Sequence, residues 1–266
     1  MTRSRSDAAR STGPTSNGRL DPELAVGWVA SWDRQQEAYA VGREERFAVV
    51  AEVVATVVAA RPAPVVVDLG CGPGSLALRV ARRIPRARVI GIDTDPLLLA
   101  LGRAASPEVD LVEGVVAAPG WTGALPRPLD AVVSSTALHY LRPDDLLGVY
   151  TDLAALVRPG GVLVNADHLP ADDAVLETLA RDVSRRPRYD AEPPLDAATA
   201  WSSWWDAVAA EPLLQDLLDE RRRRPQVTDD HPLSAATHSR LLRESGFRHC
   251  GVVWQDGPST VLVAVR

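Results

Sequence analysis

Residues 65–74 read Val-Val-Val-Asp-Leu-Gly-Cys-Gly-Pro-Gly, and this stretch decides the fold. The valine run predicts a buried strand. An acidic residue follows, and glycines at 70, 72 and 74 let the chain turn sharply beside a ligand. Glycine accepts positive φ and has no Cβ to hold a bulky cofactor away from the main chain. Past the turn, residues 75–84 carry Leu76, Val80 and Ile84 on one helical stripe. Strand, glycine turn and helix together predict a nucleotide-binding opening.

A second strand over residues 88–93 ends in Asp93, a carboxylate 19 residues beyond Gly74. In dinucleotide-binding folds such a carboxylate accepts hydrogen bonds from ribose hydroxyls; as a turn residue it would cap the next helix instead. The glycine spacing is G-x-G-x-G, whereas the nicotinamide fingerprint wants its third small residue at position 75, which is serine. Asp68 stands just before the turn, where a diphosphate would meet its negative charge. A cationic cofactor with an adenosine end fits better, which points to S-adenosylmethionine.

Outward from this nucleus, strand and helix alternate through 65–69, 75–84, 88–93, 96–104, 109–113, 129–134, 144–157 and 161–166. The expected fold class is α/β, with parallel strands and helices on both faces. Prolines at 119, 126 and 128 make the segment before the fourth strand a loop. The chain divides into a flexible tail (1–18), N-terminal cap helices (19–60), a cofactor-binding core (61–168), a helical insertion (169–232) and a last helix with a β-hairpin (233–266). The insertion carries an Arg-rich turn at 185–188, Pro193 and Pro194, a Trp-rich helix over 198–209 and a helix over 212–224, and is expected to pack over the site as a lid. Asp256 and Gly257 give the hairpin signal between Val252–Gln255 and Thr260–Val265.

The chain resembles the class I S-adenosylmethionine-dependent methyltransferases of small-molecule type. Residues 65–74 look like that family's first motif, VIGIDTDP over 89–96 like its acidic loop, and LDAVVSSTALHYL over 129–141 like its fourth motif. LVRPGGVLV over 156–164 is similar to the turn and strand that follow, and LLRESGF over 241–247 matches the last helix before the closing hairpin. The resemblance covers roughly residues 40–168 and 233–266. It implies a Rossmann-like, seven-stranded, mostly parallel sheet with a closing antiparallel hairpin. It also implies methyl transfer to a small molecule, such as a secondary metabolite, leaving S-adenosylhomocysteine.

The family's site maps onto this chain residue by residue. Gly70, Cys71, Gly72 and Gly74 form the cofactor turn, and Asp93 holds the ribose. Thr94 contacts the adenosine or caps the next helix. Asp68 helps to place the methionine amino group, or else orders the loop. Many relatives place an aspartate for the adenine amino group where Val115 stands here, so the backbone of Val115 and Val116 takes that role, with Glu113 or Trp121 as further candidates. Trp121 reads equally well as core. A backbone carbonyl near Ser134 touches the ammonium group, with Ser135 beside it. Tyr39 and Arg46 are candidates to close over the methionine carboxylate; the plainer readings are helix packing and a solvated arginine.

His139 is the first candidate for a base or acceptor-orienting group, against a satisfied core imidazole. Asp167 and His168, expected just past the fifth strand, supply a second candidate in His168. His231 and His238 flank the return from the insertion. Histidines and Asp167 lack metal-ligand spacing within one element, and the dense carboxylate set of catechol-type magnesium enzymes is missing, so no metal is expected. Trp201, Trp204 and Trp205 form either an aromatic wall for an apolar acceptor or the insertion's own core. The run Arg221–Arg224 reads as a solvated helix end in preference to a phosphate site.

Composition narrows the class. A net charge of −6 argues against a general nucleic-acid binder. All 29 basic residues are arginine, which we read as genomic base-composition bias. Cys71 lies in the glycine turn and Cys250 in a late strand, so a disulfide framework is not expected and a cytoplasmic setting fits. There is no secretory signal pattern, and no apolar run approaches the ~18 residues of a membrane span. Monomer and homodimer both stay open. The competing functions are a non-catalytic S-adenosylmethionine binder and a nucleotide-dependent oxidoreductase.

Overall fold

A computed structural model of the protein describes residues 20–40, 42–184, 196–225 and 229–266. The expected tail over 1–18, the Arg-rich turn at 185–188 and the Pro193–Pro194 pair lie outside these residues. The strands are β1 (Val65–Leu69), β2 (Arg88–Asp93), β3 (Asp110–Glu113), β4 (Leu129–Ser135), β5 (Val157–His168), β6 (His249–Asp256) and β7 (Ser259–Val265). The helices are α1 (Pro22–Glu37), α2 (Arg43–Val57), α3 (Ser75–Arg83), α4 (Pro96–Ala105), α5 (Pro143–Leu156), α6 (Ala174–Ser184), α7 (Ala197–Ala210), α8 (Gln215–Arg222) and α9 (Ala235–Glu244).

The strands form one sheet in the order β3-β2-β1-β4-β5-β7-β6. β1 to β5 run parallel, and β7 is antiparallel to both β5 and β6. The strand order reverses beside β1, whose neighbours are β2 and β4. A crevice therefore opens at the carboxyl ends of those strands, where α/β sheets take their ligands.

Each sheet face has its own core. Phe47, Val50 and Val54 of α2 pack with Leu76 and Val80 of α3 on one side; Tyr150 and Leu153 of α5 pack with Leu242 and Phe247 on the other. Alternation along β5 follows from this, since Val164 and Ala166 face α2 while Leu163 faces α5. β5 is longer than the sequence indicated. Val157 pairs with Leu129 ahead of a bulge, and the antiparallel partner β7 carries the strand through Asp167 and His168, which the sequence set just past its end. The helix expected to reach residue 60 stops at Val57. The one expected over 212–224 divides into a 3-10 turn (Pro212–Leu214), begun by Pro212 at its first position, and α8.

A third core stands apart from the sheet. Ala25, Val29 and Trp32 of α1 meet Leu97, Leu98 and Leu101 of α4, Trp204 and Val208 of α7, and Leu218 of α8. The two N-terminal helices thus part company: α2 covers the sheet, while α1 joins the insertion helices. Trp32 and Trp204 have ring centroids 5.0 Å apart, and the Trp204 indole N–H donates to Ser31 Oγ at 3.0 Å.

Candidate active site

The glycine turn builds the floor of a cavity of about 740 Å³ at the sheet's switch point. Gly70 has φ +68°, and a Cβ there would lie 2.3 Å from the Ala137 Cβ, so β1 and the β4 exit approach as closely as they do only through glycine. Gly72 lines the cavity, and a Cβ on it would meet no heavy atom closer than 3.8 Å; the space over its main chain is open to a ligand. Gly74 does different work. It does not line the cavity, and a Cβ there would press on Leu111 at 3.2 Å, so it serves helix packing at the start of α3. Cys71 lines the cavity but is buried, and that burial raises its thiol pKa well above the ordinary value, leaving it inert.

Two carboxylates face this floor. Asp93 ties two turns together, accepting the Gly72 N–H at 2.7 Å and the Asp95 N–H at 2.9 Å, and burial raises its pKa. Asp68 accepts the Ala77 N–H through Oδ2 at 3.1 Å, while its Oδ1 is buried with no partner. Burial pushes Asp68 up to about 8, with the Asp93 charge adding to the effect. An orphaned carboxylate oxygen on a cavity wall is costly unless a donor or cation completes it. It therefore fits the amino group of an adenosyl sulfonium amino acid.

Thr94, Val115 and Val116 line the same cavity. Trp121 does not: its indole N–H donates to Asp152 at 2.9 Å and its ring packs on the α5 core. Glu113 is held by Arg224. Ser134 is buried behind the wall, its hydroxyl donating to the Leu69 carbonyl at 2.8 Å. Arg46, read from sequence as a carboxylate clamp or a solvated residue, is neither. It is fully buried beneath the wall on the α2 face and donates to Ser135 Oγ and Ser259 Oγ, both at 3.3 Å. Burial lowers its pKa to about 10.

The run at 221–224 also departs from expectation. Arg222 and Arg223 are exposed, but Arg221 and Arg224 line the cavity. Arg221 pairs with Asp95 at 2.6 Å and lies 4.0 Å over the Trp205 ring, and Arg224 pairs with Glu113 and Glu220. α8 is thereby clasped across the loop ends of β2 and β3. Of the insertion tryptophans, Trp204 is core, Trp205 packs on that core and lines the cavity, and Trp201 lines the cavity.

His139 sits on a 3-10 turn (Leu138–Tyr140) reached through Thr136, whose φ of +49° bends the chain out of β4. Its Nδ1 lies 2.9 Å from both oxygens of Asp167, itself 1% exposed. A carboxylate only accepts, so Nδ1 carries the hydrogen and Nε2 keeps a lone pair on a ring that lines the cavity. Burial disfavours the imidazolium, but the hydrogen bond and charge of Asp167 outweigh it and raise the pKa above the ordinary histidine value. His168 lines the cavity too, and its pKa is lowered by burial and by the Arg46 charge. The two imidazoles are thus pushed apart, the usual signature of divided acid–base roles.

The other histidines stand elsewhere. His238 is buried against the Tyr150 hydroxyl at 2.7 Å, and the His231 N–H donates to the His139 carbonyl at 2.7 Å. Sequence reasoning missed Asp167 as the partner of His139; its place at the carboxyl end of a strand was the available signal. Among the described residues no cluster of His, Cys, Asp or Glu could hold a metal, and no helix is long and apolar enough to cross a membrane.

Comparison with known proteins agrees with this geometry. Residues 66–161 match a family model described as a methyltransferase domain. A trans-aconitate 2-methyltransferase from Azoarcus sp. (strain BH72) is 33% identical over 207 residues, 76% of this chain and 76% of that protein. Another, from Methylobacterium radiotolerans, is 36% identical over 135 residues, so that match spans about half of each protein, 51% and 48%. Magnesium protoporphyrin IX methyltransferase from Synechocystis PCC 6803, solved with bound SAH, shares the fold at a TM-score of 0.52 and 19% identity, covering 92% of this chain and all of that one.

Proposed function

The chain belongs to the S-adenosylmethionine-dependent methyltransferases, and from that premise we propose that it methylates a hydroxyl group of a small molecule, with His139 as the base. One observation carries this reading: the Asp167–His139 pair at 2.9 Å, on the wall of the cavity that the glycine turn floors. When bound, S-adenosylmethionine supplies an electrophilic methyl group on a sulfonium.

Asp93 holds the ribose hydroxyls, and the free oxygen of Asp68 takes the amino group. The main chain of Gly70, Cys71 and Gly72 lies along the cofactor, with Thr94, Val115 and Val116 at its adenine end. Tyr39 lines the cavity beyond. Arg46, Ser134 and Gly74 support these groups from behind. The helices α1, α7 and α8 act as a lid, closing the cavity to water so that acceptor and methyl group stay aligned.

His139 takes the acceptor proton at Nε2, and Asp167 stabilises the resulting imidazolium. His168, held toward its neutral form, orients the acceptor oxygen. The relatives' name offers trans-aconitate as another acceptor. A carboxylate needs no base, however, and a buried Asp–His pair would then be idle. We assign the enzyme to the cytoplasm, in keeping with its free cysteines.

The test is transfer of labelled methyl from S-adenosylmethionine to a panel of hydroxyl compounds by the protein and by His139→Gln. The reading requires turnover that falls about a hundredfold or more in the variant with cofactor affinity unchanged. Equal turnover by both would refute it. Cofactor binding with no transfer to any acceptor would favour a non-catalytic binder.

A further inference from the structure

We propose that the acceptor is an uncharged, flat aromatic hydroxy compound, and that polycarboxylates such as the relatives' trans-aconitate are excluded. This rests on the methyltransferase reading and goes on to the substrate class.

The argument begins with charge. A polyanion binds where cations have charge to spare, because desolvating its carboxylates must be offset by new ion pairs. The arginines lining this cavity are Arg43, Arg221 and Arg224, and each already meets a carboxylate of the chain. Arg43 is paired with Asp33 at 3.0 Å and Glu44 at 3.5 Å, Arg221 with Asp95, and Arg224 with Glu113 and Glu220. Arg46 donates to two serines, which leave its charge unneutralised, but it is fully buried beneath the wall and does not line the cavity. At the His139 end two carboxylates stand against one buried cation, Arg46, whose charge reaches both histidines. Asp230 lines the cavity and acts electrostatically on His139 and Tyr140, and Asp167 lies behind His139. The balance of fixed charge there is negative, which disfavours an incoming carboxylate.

The second observation is the aromatic wall. Tyr39 stands edge-on to Trp201, with ring centroids 6.1 Å apart, and Tyr140 lies beside His139 at 4.2 Å. All of these rings line the cavity, yet Tyr39 keeps 40% of its surface exposed, Trp201 38% and Tyr140 45%. Rings left half-uncovered on the wall of a crevice present apolar surface for a flat ring to cover. An aromatic hydroxyl also suits the base. As the acceptor oxygen bonds to the methyl carbon, its proton passes to His139 Nε2 and the carbon–sulfur bond breaks with its electron pair going to sulfur. The products are an aryl methyl ether, S-adenosylhomocysteine and imidazolium, so charge and atoms balance.

Calorimetry on the full chain saturated with S-adenosylhomocysteine tests this with three probes: 2-naphthol, 6-hydroxy-2-naphthoate and trans-aconitate. The neutral naphthol should bind at least about tenfold more tightly than its carboxylate analogue, and trans-aconitate should not compete. Trp201→Ala and, separately, Tyr140→Ala should each weaken naphthol binding about fivefold or more while leaving S-adenosylhomocysteine affinity unchanged. Thermal melting confirms that each variant is folded. Naphthoate or trans-aconitate binding as tightly as naphthol would overturn the inference, as would no naphthol binding at all, and the methyltransferase reading would survive either result. Failure of S-adenosylhomocysteine itself to bind would instead defeat that underlying reading.

Discussion

Replacing Asp167 with asparagine separates the imidazole's basicity from its position. The carboxylate is buried, accepts the His168 N–H at 2.8 Å and holds His139 Nδ1 at 2.9 Å. Asparagine has the same size and keeps an acceptor oxygen, but it loses the charge. A hydrogen bond to a charged group contributes about 1.5–3 kcal/mol, and each ~1.4 kcal/mol in a barrier is tenfold in rate. Methyl transfer from the base-dependent path should therefore slow about ten- to a hundredfold. The pH response has a definite sign. Asp167 raises the His139 pKa, while burial and Arg46 oppose it. With the carboxylate charge gone, burial and Arg46 are opposed only by the Asp230 charge, so the pKa falls. The rising limb of the pH–rate profile, which reports the neutral base, moves to lower pH as its plateau drops. NMR titration of the His139 ring in the cofactor-free protein reads the same shift without any acceptor. An unchanged His139 titration, or an unchanged plateau, would refute the reasoning.

Asp68→Asn should remove a proton from the cofactor-binding equilibrium. With its pKa near about 8, Asp68 is largely protonated at neutral pH and must ionise to meet a cation. Wild-type binding then releases a proton and strengthens as pH rises toward about 8; calorimetry in buffers of different ionisation heat counts that proton, and the variant should release none. The same group makes the ligand-free fold lose stability as pH rises from the unfolded carboxylate range through about 8, since the folded state binds the extra proton, and denaturation of Asp68→Asn should show a flatter pH dependence. Gly70→Ala should lower stability by at least about 1–2 kcal/mol from the left-handed backbone alone, with the 2.3 Å overlap on Ala137 adding to it; in urea denaturation, Ala137→Gly in the same chain should restore only the overlap. Arg221→Ala releases α8 from Asp95 and Trp205, and stopped-flow displacement should show cofactor leaving about two- to tenfold faster.

What the sequence disclosed was set by how local each signal is. The glycine turn, the acid at 93, the strand–helix alternation and the Asp256–Gly257 hairpin are each written within a few residues, where φ preference and side-chain periodicity decide the outcome. Other features depend on partners far along the chain. The Arg221–Asp95 pair joins residues 126 positions apart, and Arg224 meets Glu113 across 111, so an arginine run that looks solvated becomes a clasp. Arg46 meets Ser259 across 213 positions, which turns an apparent surface cation into a buried one. The split of α1 from α2 has the same origin, because Trp28 and Trp32 find their partner in Trp204. The role of Asp167 was within reach, since it ends a strand two residues after the buried Asn165, but its pairing with His139 spans 28 positions and two elements.

A crystal structure with S-adenosylhomocysteine is the most direct measurement of the central claim. The account predicts ribose hydroxyls on Asp93, the amino group within hydrogen-bond distance of Asp68 Oδ1, the main chain of Gly72 against the ligand, and the sulfur facing the side of the cavity that holds His139. Ligand density lying away from Asp68 and Asp93, or a sulfur turned from His139, would contradict it.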